Sequence, residues 1–492
     1  MTQGVNATDN SRPLVSEIYL GTRWLGTGSG GVHQHINPAT GRPQADVPLA
    51  GRAEIDEAVA VAQTAFRKWR QWRPEDRRRL LTRIAARIRE HEDELAVMQA
   101  MENGLPVSAA KAVLVPHGAN WFENAAGWAD KLEGTVVPTA PGETMDLTLM
   151  EPIGVVAVIL TWNAPIGGWG MCVAPPLAAG CCVILKPSEL APFTSTFIAR
   201  LCEEEGMPPG VITVLPGGPE AGAALVEHPG VRKISFTGGG PTGRRIAAAC
   251  GAQLKPVLLE LGGKSANIVF PDADLAKAVE TAASVVFSAG QACTLPTRAI
   301  VHESIYDEFT AMLAGALAQV QVGDPLDPTT AMGPVISAAA SDRILGMVNH
   351  ATRDTGAELL AGGNRKGDEL AAGYFIEPTL LGNVAPDSEV AQDEVFGPVT
   401  AAIRFSDEDE AVAVANGTPY GLAGYLHTRD LARALRVASA LESGTVAVNG
   451  AGAPAGPGAP FGGVKESGYG REGGRLGVAE FLQHKTVSIA LS

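Results

Sequence analysis

Apolar and polar positions alternate along this chain with two different periods, and the change of period divides the sequence. In the first part the apolar side chains recur every three or four positions, which predicts amphipathic helices after an extended segment that ends in a turn at residues 37–41. A further helix is predicted over residues 109–131. The side chains that define the first two helices are Ile55, Val59, Ala62 and Phe66, followed by Leu80, Leu81, Ile84, Ile88 and Leu95.

From residue 155 onward, short apolar runs alternate with helical stretches. The runs are nearly continuous and rich in β-branched residues, which is typical of parallel strands covered on both faces, so the pattern predicts an α/β fold. A second alternating series follows Gly263, and a strand-like run occupies residues 486–491. The predicted strands are 155–161, 182–185, 211–215, 233–236, 257–259 and 298–301, and the predicted helices are 194–204, 220–227, 242–249, 275–287 and 305–320.

Length and composition narrow the class of protein. The 492 residues correspond to about two to four domains, and 46% apolar with 18% charged residues supply a large core and exclude wholesale disorder. The net charge of −15 argues against nucleic acid or an anionic membrane surface as a partner. Residues 152–185 carry no charge, but prolines and glycines interrupt them, so we interpret them as buried strand, loop and helix rather than as a membrane span.

The cysteines point to a location and to one candidate nucleophile. Six cysteines without a CxxC pair argue against a disulfide framework and against a metal site, and they indicate a reducing, cytoplasmic compartment. Cys293 follows a helical stretch in a polar, glycine-flanked turn, where a thiolate nucleophile would be reachable. The others have apolar or helical surroundings and are interpreted as buried hydrophobic side chains: Cys172, Cys181, Cys182, Cys202 and Cys250.

Two further features are candidates for chemistry. Glu260 ends the apolar run 257–259, and a carboxylate at the end of a buried strand is costly unless it is paired or used, so a general base is its natural role. Residues 238–243 have the G-x-G-x-x-G spacing between a predicted strand and a predicted helix, as in loops that bind a dinucleotide pyrophosphate. By itself this motif is equally compatible with a glycine-rich turn of no function.

Seven short motifs, taken in order, resemble those of the NAD(P)-dependent aldehyde dehydrogenase superfamily almost from end to end. The central pair is ELGGKS at 260–265 and GQAC at 290–293, with Cys293 placed 33 residues after Glu260. The remaining motifs are NPATG at 37–41, TWNAP at 161–165, KPSE at 186–189, EVFGP at 394–398 and PFGG at 460–463.

The resemblance implies a covalent mechanism. Cys293, as a thiolate, would attack the aldehyde carbonyl to give a thiohemiacetal, and the Asn163 amide with the Cys293 backbone N–H would stabilise the oxyanion. Loss of hydride to the nicotinamide would leave a thioester. Glu260 would then activate the water that releases the carboxylic acid.

The resemblance also implies a cofactor site. Lys186 and Glu189 would hold the adenosine ribose, and Glu394 the nicotinamide ribose, with Phe396 beside the ring. Because a carboxylate at Glu189 would repel a 2′-phosphate, NAD is favoured over NADP, although NADP stays open. No metal ion is expected. The full set of implied cofactor contacts is Thr161, Trp162, Lys186, Ser188, Glu189, Gly218, Gly222, Phe236, Gly238, Gly239, Thr242, Leu261, Glu394 and Phe396.

In architecture, the resemblance implies a Rossmann-like cofactor domain, an α/β catalytic domain and a small β oligomerisation flap. The cofactor domain would comprise residues 1–133 and 153–264, and the catalytic domain residues 265–450. The flap would pair residues 134–152 with residues 475–492 and bridge the subunits of a homodimer or homotetramer.

The sequence departs from the family's pattern at several positions. Thr161 stands in place of a common proline, and Gly239 in place of a serine that contacts the pyrophosphate. Cys172 stands where the family commonly has a lysine, which is often assigned to a proton relay with a glutamate that matches Glu472. Glu472 is thus a possible proton relay without its usual partner, and Cys172 is not expected to be catalytic.

The regions that would form the substrate pocket are poor in aromatic rings. Ala164 and Gly167 follow Asn163, and residues 451–459 are almost all Gly, Ala and Pro, without Arg or Lys in either loop. We therefore predict a roomy apolar tunnel for a bulky hydrophobic or aromatic aldehyde, with Met171 and Phe461 as further possible pocket residues. Trp121, Trp169 or Met171 would defeat this prediction by refilling the space.

Two functions other than aldehyde oxidation also occur among proteins with these motifs, and the residues argue against both. A relative that passes the acyl group to coenzyme A would share Cys293 but can dispense with the water-activating glutamate, so Glu260 argues against it. A non-enzymatic structural member would be expected to lose the nucleophile, whereas Cys293, Asn163 and Glu260 are all present.

Overall fold

The computed structural model describes residues 14–450 and 456–491, and its strands form two large sheets and three small ones. The strands are β1 (Ile18–Tyr19), β2 (Trp24–Leu25), β3 (Val32–Asn37), β4 (Arg42–Pro48), β5 (Val136–Val137), β6 (Thr144–Pro152), β7 (Val155–Ile159), β8 (Cys182–Lys186), β9 (Ile212–Val214), β10 (Lys233–Thr237), β11 (Val257–Glu260), β12 (Ala266–Val269), β13 (Arg298–His302), β14 (Glu358–Ala361), β15 (Thr379–Gly382), β16 (Val399–Phe405), β17 (Tyr420–Gly421), β18 (Ala423–His427), β19 (Thr445–Val448), β20 (Val464–Lys465), β21 (Gly468–Tyr469) and β22 (Leu482–Ala490).

Helices cover the sheets and connect their strands. They are α1 (Arg52–Trp69), α2 (Pro74–Glu90), α3 (Glu92–Asn103), α4 (Val107–Ala109), α5 (Val115–Trp128), α6 (Pro165–Gly168), α7 (Ala174–Ala179), α8 (Phe193–Glu204), α9 (Pro219–Glu227), α10 (Gly240–Ala252), α11 (Leu275–Ala283), α12 (Tyr306–Ala318), α13 (Ala338–Asp354), α14 (Glu389–Gln392), α15 (Glu408–Asn416), α16 (Leu431–Ala440) and α17 (Gly474–Ala479). The turns Ala110–Leu114 and Trp169–Val173 are π-helical, and Ser284–Gly290, Glu303–Ile305 and Asp368–Leu370 are 3₁₀-type.

The first large sheet has the order β2-β1-β9-β8-β7-β10-β11-β21. Its five central strands, from β9 to β11, run parallel, and every residue of β7 and β8 is buried. Burial on both faces explains why these strands appear in the sequence as continuous apolar runs. The helices α1, α5, α7, α8 and α9 contribute side chains to the same hydrophobic core.

The second large sheet has the order β14-β15-β16-β13-β12-β18-β19 and is parallel except for the β14–β15 pair. A three-stranded antiparallel sheet, β22-β6-β5, lies apart from both, and its β6 and β22 pair along their whole length. The hairpin β3–β4 encloses the predicted turn at residues 37–41. The prediction of an α/β fold with parallel sheets is thus confirmed.

Several predicted elements end elsewhere. The apolar repeat from Leu80 to Leu95 is divided at His91 into α2 and α3. The helix predicted over 275–287 ends at Ala283, where a 3₁₀-type turn begins, and within that turn Phe287, Ser288 and Ala289 leave the helical conformation. Strand β12, directly after the ELGGKS motif, was not predicted.

Some elements cross the domain ranges that the sequence suggested. Strand β21 lies within residues 451–474, a range that none of the expected domains includes, and it extends the first sheet beside β11. Helix α17, in the range predicted as flap, packs against α5 and α7. Within the described ranges, no helix is both long enough and apolar enough to cross a bilayer.

Candidate active site

Three neighbouring parallel strands bring their carboxyl ends to one edge of the first sheet. Strand β7 leads into residues 161–163, β10 into Gly238, and β11 ends at Glu260, which lies opposite Thr237 in the register. In open α/β sheets, ligands bind in the crevice at this edge, because the loops that leave the strands diverge there. The sheet topology therefore brings the motifs that contain residues 161–163, Gly238 and Glu260 to the same edge of the sheet.

The loop that carries Cys293 is held in a strained conformation. Ser288, Ala289 and Gly290 have φ values of 50°, 50° and 76°, in the left-handed region, where a residue with a Cβ costs about 1–2 kcal/mol. The Gln291 side chain fixes the loop, since Nε2 donates to the Ser288 carbonyl at 2.9 Å and Oε1 accepts from the Ile336 N–H at 2.8 Å. Strain held by such contacts is typical of functional sites.

Close backbone contacts join the loop that carries Cys293 to the motifs at 260–265 and 394–398. An ideal Cβ built on Gly263 would lie 2.5 Å from the Cys293 carbonyl oxygen, and one built on Gly290 would lie 1.9 Å from the Gly397 carbonyl oxygen. Both distances are too short for a real side chain, so only glycine permits these approaches. The motifs at 260–265, 290–293 and 394–398 thus pack directly on one another.

The Asn163 amide reaches the same loop. Its Nδ2 donates to the Gln291 carbonyl at 2.9 Å, two residues before Cys293, and its Oδ1 is buried without a hydrogen-bond partner among the described residues. The backbone of this segment is held by Asn103, whose Nδ2 donates to the Trp162 and Asn163 carbonyls at 3.0 and 3.1 Å. Asn103 was missed from the sequence, where Asn-Gly after a helical run signals only the end of a helix.

The thiol of Cys293 lies among apolar side chains. It packs with a cluster formed by Trp121, Leu422, Phe461 and Met171. Burial raises the pKa of this thiol, and the neighbouring carboxylates Glu394 and Glu260 raise it further. Burial and the two carboxyl groups therefore favour the neutral thiol over the thiolate, and a base that accepts the proton would assist formation of the thiolate.

Glu260 is a buried carboxyl group without a partner. It is 4% exposed, and neither of its side-chain oxygens has a hydrogen-bond partner within residues 14–450 and 456–491. Burial raises its pKa well above the ordinary value, and the charge of Glu472 adds to the shift. A carboxyl group with raised proton affinity, free of hydrogen bonds, is suited to accept a proton from water.

Glu472 accepts a hydrogen bond that the sequence did not predict. The Cys172 thiol donates to Glu472 Oε1 at 3.0 Å, so the residue that replaces the expected lysine still contacts the carboxyl group. Burial raises the pKa of Glu472 to about 7. The backbone N–H and C=O of Glu472 pair with those of Phe461, both at 2.7 Å.

Glu394 and Phe396 lie beside the ELGGKS motif and the Trp162 ring. Glu394 Oε1 accepts from the Gly263 N–H at 3.0 Å, and burial raises the pKa of this carboxyl group. Phe396, with a φ of 47°, meets Trp162 edge to face, with ring centroids 5.6 Å apart. The buried carboxyl group of Glu394 and the aromatic ring of Phe396 therefore lie next to the Cys293 loop.

The end of β8 forms a second polar region. Lys186 Nζ donates to the Pro187 carbonyl at 3.0 Å and to the Gly217 carbonyl, and burial lowers its pKa to about 8. Gly218 is the N-cap of α9, and Gly222 on that helix faces the Lys186 side chain. The loop also contains Ser188, whose Oγ accepts from the Leu190 N–H at 3.2 Å, and the half-buried Glu189.

The glycine-rich motif forms the N-terminus of α10. Gly239 is the N-cap, Gly238 lies against the Phe236 ring, and the Thr242 N–H donates to the Gly239 carbonyl at 3.1 Å. No heavy atom lies within 4 Å of an ideal Cβ at Gly239, so the space there is open. Leu261 packs against α10 from the neighbouring strand end.

The predicted pocket residues separate into two groups. Met171 and Phe461 lie in the cluster around Cys293, whereas Ala164 packs with a different cluster that includes Leu105. Gly167 faces the His117 ring, which the sequence reading overlooked. Trp121 also lies in the cluster around Cys293, Trp169 is fully buried in the core, and residues 451–455 lie outside the described ranges.

Comparison with known proteins gives one consistent family. The sequence profile described as "Aldehyde dehydrogenase family" matches residues 24–487. An aldehyde dehydrogenase of Alternaria alternata is 42% identical over 478 residues, covering 96% of this chain and 95% of the relative. Retinal dehydrogenase 2 of Homo sapiens is 40% identical over 490 residues, covering 98% of this chain and 93% of the relative.

Solved structures agree with this result. PnpE in complex with nicotinamide adenine dinucleotide, a protein known from Pseudomonas sp. WBC-3, superposes with a TM-score of 0.94 at 40% identity, covering 97% of this chain and 98% of the other. The NAD⁺ complex of an aldehyde dehydrogenase from Bacillus cereus gives a TM-score of 0.94 at 34% identity, covering 97% of both chains. The resemblance seen in the motifs is thereby confirmed, and the chain belongs to the aldehyde dehydrogenase family of oxidoreductases.

Proposed function

We propose that this chain oxidises an aldehyde to the carboxylic acid with NAD⁺, through an intermediate covalently bound to Cys293. The observation that carries the proposal is the convergence of three groups on one loop. The Asn163 amide contacts the backbone two residues before Cys293, and Glu260 is, after Glu394, one of the nearby carboxyl groups that add to the effect of burial in raising the pKa of the thiol. A nucleophile, an oxyanion donor and a base are what acyl transfer requires.

The residues along the sheet edge fit NAD⁺. The N-terminus of the thirteen-residue helix α10 is open at Gly239, and its N–H groups and dipole suit a pyrophosphate. Lys186 and Glu189 would hold the adenosine ribose, and the buried carboxyl group of Glu394 the nicotinamide ribose. NAD⁺ bound there supplies the hydride acceptor, as the NAD complexes of similar structures support.

The chain's own residues would act in a fixed order. Glu260 takes the proton from the Cys293 thiol, and Sγ attacks the carbonyl carbon while the Asn163 amide stabilises the charge on the oxygen. Once the carbon has lost its hydride, the acyl group is held as a thioester. Glu260, after returning its proton to solvent, accepts a proton from water that adds to the thioester, the C–S bond breaks, and the acid leaves.

The cofactor preference follows from Glu189. Its carboxylate can accept hydrogen bonds from both ribose hydroxyls and would repel a 2′-phosphate. The nearby Lys186 gives that phosphate little support, because its ammonium group already donates to two backbone carbonyls. We therefore propose NAD rather than NADP as the cofactor in use.

The proposed substrate is a bulky hydrophobic or aromatic aldehyde. The cluster beside the Cys293 thiol consists of Trp121, Leu422, Phe461 and Met171, which offer apolar surface and no positive charge to an anionic semialdehyde. A similar protein named retinal dehydrogenase 2 supports an aldehyde of this kind.

A panel of aldehydes tests both proposals. With aryl and long-chain aldehydes we expect a kcat/KM at least about ten-fold above that for acetaldehyde or succinic semialdehyde, since each buried methylene contributes about 0.8 kcal/mol. NAD⁺ should exceed NADP⁺ with every aldehyde. Faster turnover of the small or anionic substrates would contradict the apolar pocket, and an acyl-coenzyme A product would favour acyl transfer over hydrolysis.

Asn103→Ala tests the support of the oxyanion segment. Removing this amide leaves the Trp162 and Asn163 carbonyls without their donor, so we expect kcat to fall about ten-fold and the free energy of unfolding to fall by about 1–3 kcal/mol. Steady-state NADH formation and thermal unfolding give both numbers. The control is Asn120→Ala in α5, which removes only an exposed hydrogen bond from Arg89 and should leave kcat unchanged and stability within about 1 kcal/mol. Unchanged turnover of the Asn103 variant would separate it from catalysis.

We also propose that the sheet β22-β6-β5 joins subunits of a homo-oligomer. Met145, Leu149 and Ile489 on this sheet are 40%, 44% and 43% exposed, an apolar surface that a second copy would cover. Sedimentation velocity of the full chain should give a dimer or a larger assembly, and a monomer at micromolar concentration would contradict the proposal.

A further inference from the structure

A cysteine and a glutamate form a buried pair close to the candidate base. Cys172 and Glu472 are each 3% exposed, and the thiol donates to Glu472 Oε1 at 3.0 Å. The Thr237 hydroxyl lies 3.8 Å from the same sulfur, at the end of β10. This contact joins the π-helical turn Trp169–Val173 to the segment after β21.

The backbone fixes the carboxyl group between Cys172 and Glu260. Glu472 pairs with Phe461 through two hydrogen bonds of 2.7 Å, and Phe461 belongs to the cluster around Cys293. The next residue, Gly462, lies against Glu260, since its ideal Cβ would be 2.7 Å from Glu260 Oε1. The thiol, the two carboxyl groups and the nucleophile therefore share one buried region.

Few charges oppose the two carboxyl groups. Arg471 is the cation that acts on Glu260, but its guanidinium group donates to the Gly463 and Gly470 carbonyls. Glu480 adds negative charge and is paired with Lys233. From the other sides, Glu394 and the Cys293 thiol face the region. At the Cys172 position the neighbouring group is neutral.

Resting on the proposed function, we propose that Cys172 is a positioning residue for deacylation: its thiol donates to Glu472 and holds this carboxyl group beside Glu260, where burial, rather than the thiol, keeps it in the protonated form. A cation at this position would instead draw the proton from Glu472. With Glu472 neutral, Glu260 faces no second negative charge and can exist as the carboxylate that accepts a proton from water.

The proton balance of the step is simple. The water oxygen bonds to the thioester carbon, the C–S electron pair returns to Sγ of Cys293, and Glu260 accepts one water proton, which it releases to solvent before the next turnover. Burial raises the pKa of Glu472 to about 7, so below that pH the group is neutral. Above it, the new charge raises the proton affinity of Glu260 and opposes the step.

Infrared spectra of the full-length protein test the protonation state directly. We expect a protonated-carboxyl band that is absent from Glu472→Gln and disappears with a midpoint near pH 7. Cys172→Ser should keep the band, and Cys172→Ala should move the midpoint to higher pH, because the thiol donor lowers the pKa of Glu472. The absence of any band that depends on Glu472 would overturn the proposal.

Kinetics test the positioning role. The first turnover reports acylation as a burst of NADH, and the following steady phase reports deacylation. Cys172→Ala should keep the burst rate and lose about ten-fold in the steady phase, and Cys172→Ser should restore it to within two-fold. In Glu472→Gln, the acidic limb of the steady-phase profile should move to lower pH, because Glu260 no longer faces a second charge.

The outcomes separate this inference from the proposed function. Equal losses in burst and steady phase in both Cys172 variants, or no loss in Cys172→Ala, would overturn the positioning role. A wild-type protein that forms no NADH with any aldehyde would instead overturn the proposed function, while the infrared band would still report the state of Glu472.

Discussion

Cys293→Ala is expected to lower NADH formation by at least about 10⁴-fold, because the variant lacks the sulfur atom that forms the bond to the aldehyde carbon in the proposed mechanism. The folded structure should survive, since the side chain is small and lies at the edge of the cluster formed with Trp121 and Phe461. NADH absorbance with a saturating aldehyde measures the loss, and thermal unfolding confirms the fold.

The matched control for this variant is Cys202→Ala. Cys202 is 1% exposed in α8 and belongs to the hydrophobic core of the first sheet rather than to the cluster around Cys293, so its removal should cost stability without affecting turnover. Substantial NADH formation by Cys293→Ala would mean that the reaction does not pass through this sulfur.

Glu260→Gln is expected to separate the two halves of the reaction. Because a thiol is a much stronger acid than water and can also ionise without this base, the variant should still form up to one NADH per site and then turn over about 10²–10⁴-fold more slowly than the wild type. Intact-protein mass spectrometry during the slow phase should show the acyl group attached, and digestion should place it on Cys293.

The control for Glu260→Gln is Glu466→Gln, which changes an exposed carboxylate that pairs with Arg244. It should leave the burst and the steady rate unchanged. A Glu260→Gln variant with neither burst nor turnover would show that ionisation of the thiol depends wholly on Glu260, and full activity would remove Glu260 from the mechanism.

The fold class was accessible from the sequence because it depends on local patterns. Strands β7, β8 and β10 are buried on both faces, so their apolar runs were visible without any partner. The end of α11 was not accessible, because the apolar residues up to Phe287 continue the helical pattern. The chain leaves the helical conformation at the left-handed turn of Ser288 and Ala289, which packs on residues about a hundred positions away.

Only the site residues that belong to recognisable sequence motifs could be predicted. Motifs named Cys293 and Glu260, but the protonation of the thiol depends on burial and on carboxylates that no local pattern shows. Asn103 was missed because both of its acceptors lie some sixty residues away. The sequence showed that Cys172 stands in place of the family's lysine. It could not show the hydrogen bond from Cys172 to Glu472, because these residues are three hundred positions apart.

The position of β21 at the edge of the first sheet has a consequence for how the chain folds. Glu260 pairs with Gly468, so the strand that carries the candidate base keeps an unpaired edge until a distant part of the polypeptide arrives. Non-local pairing of this kind slows folding, and open strand edges recruit other chains. Fragments that stop before this strand should aggregate during biosynthesis, and chaperones would be needed at that stage.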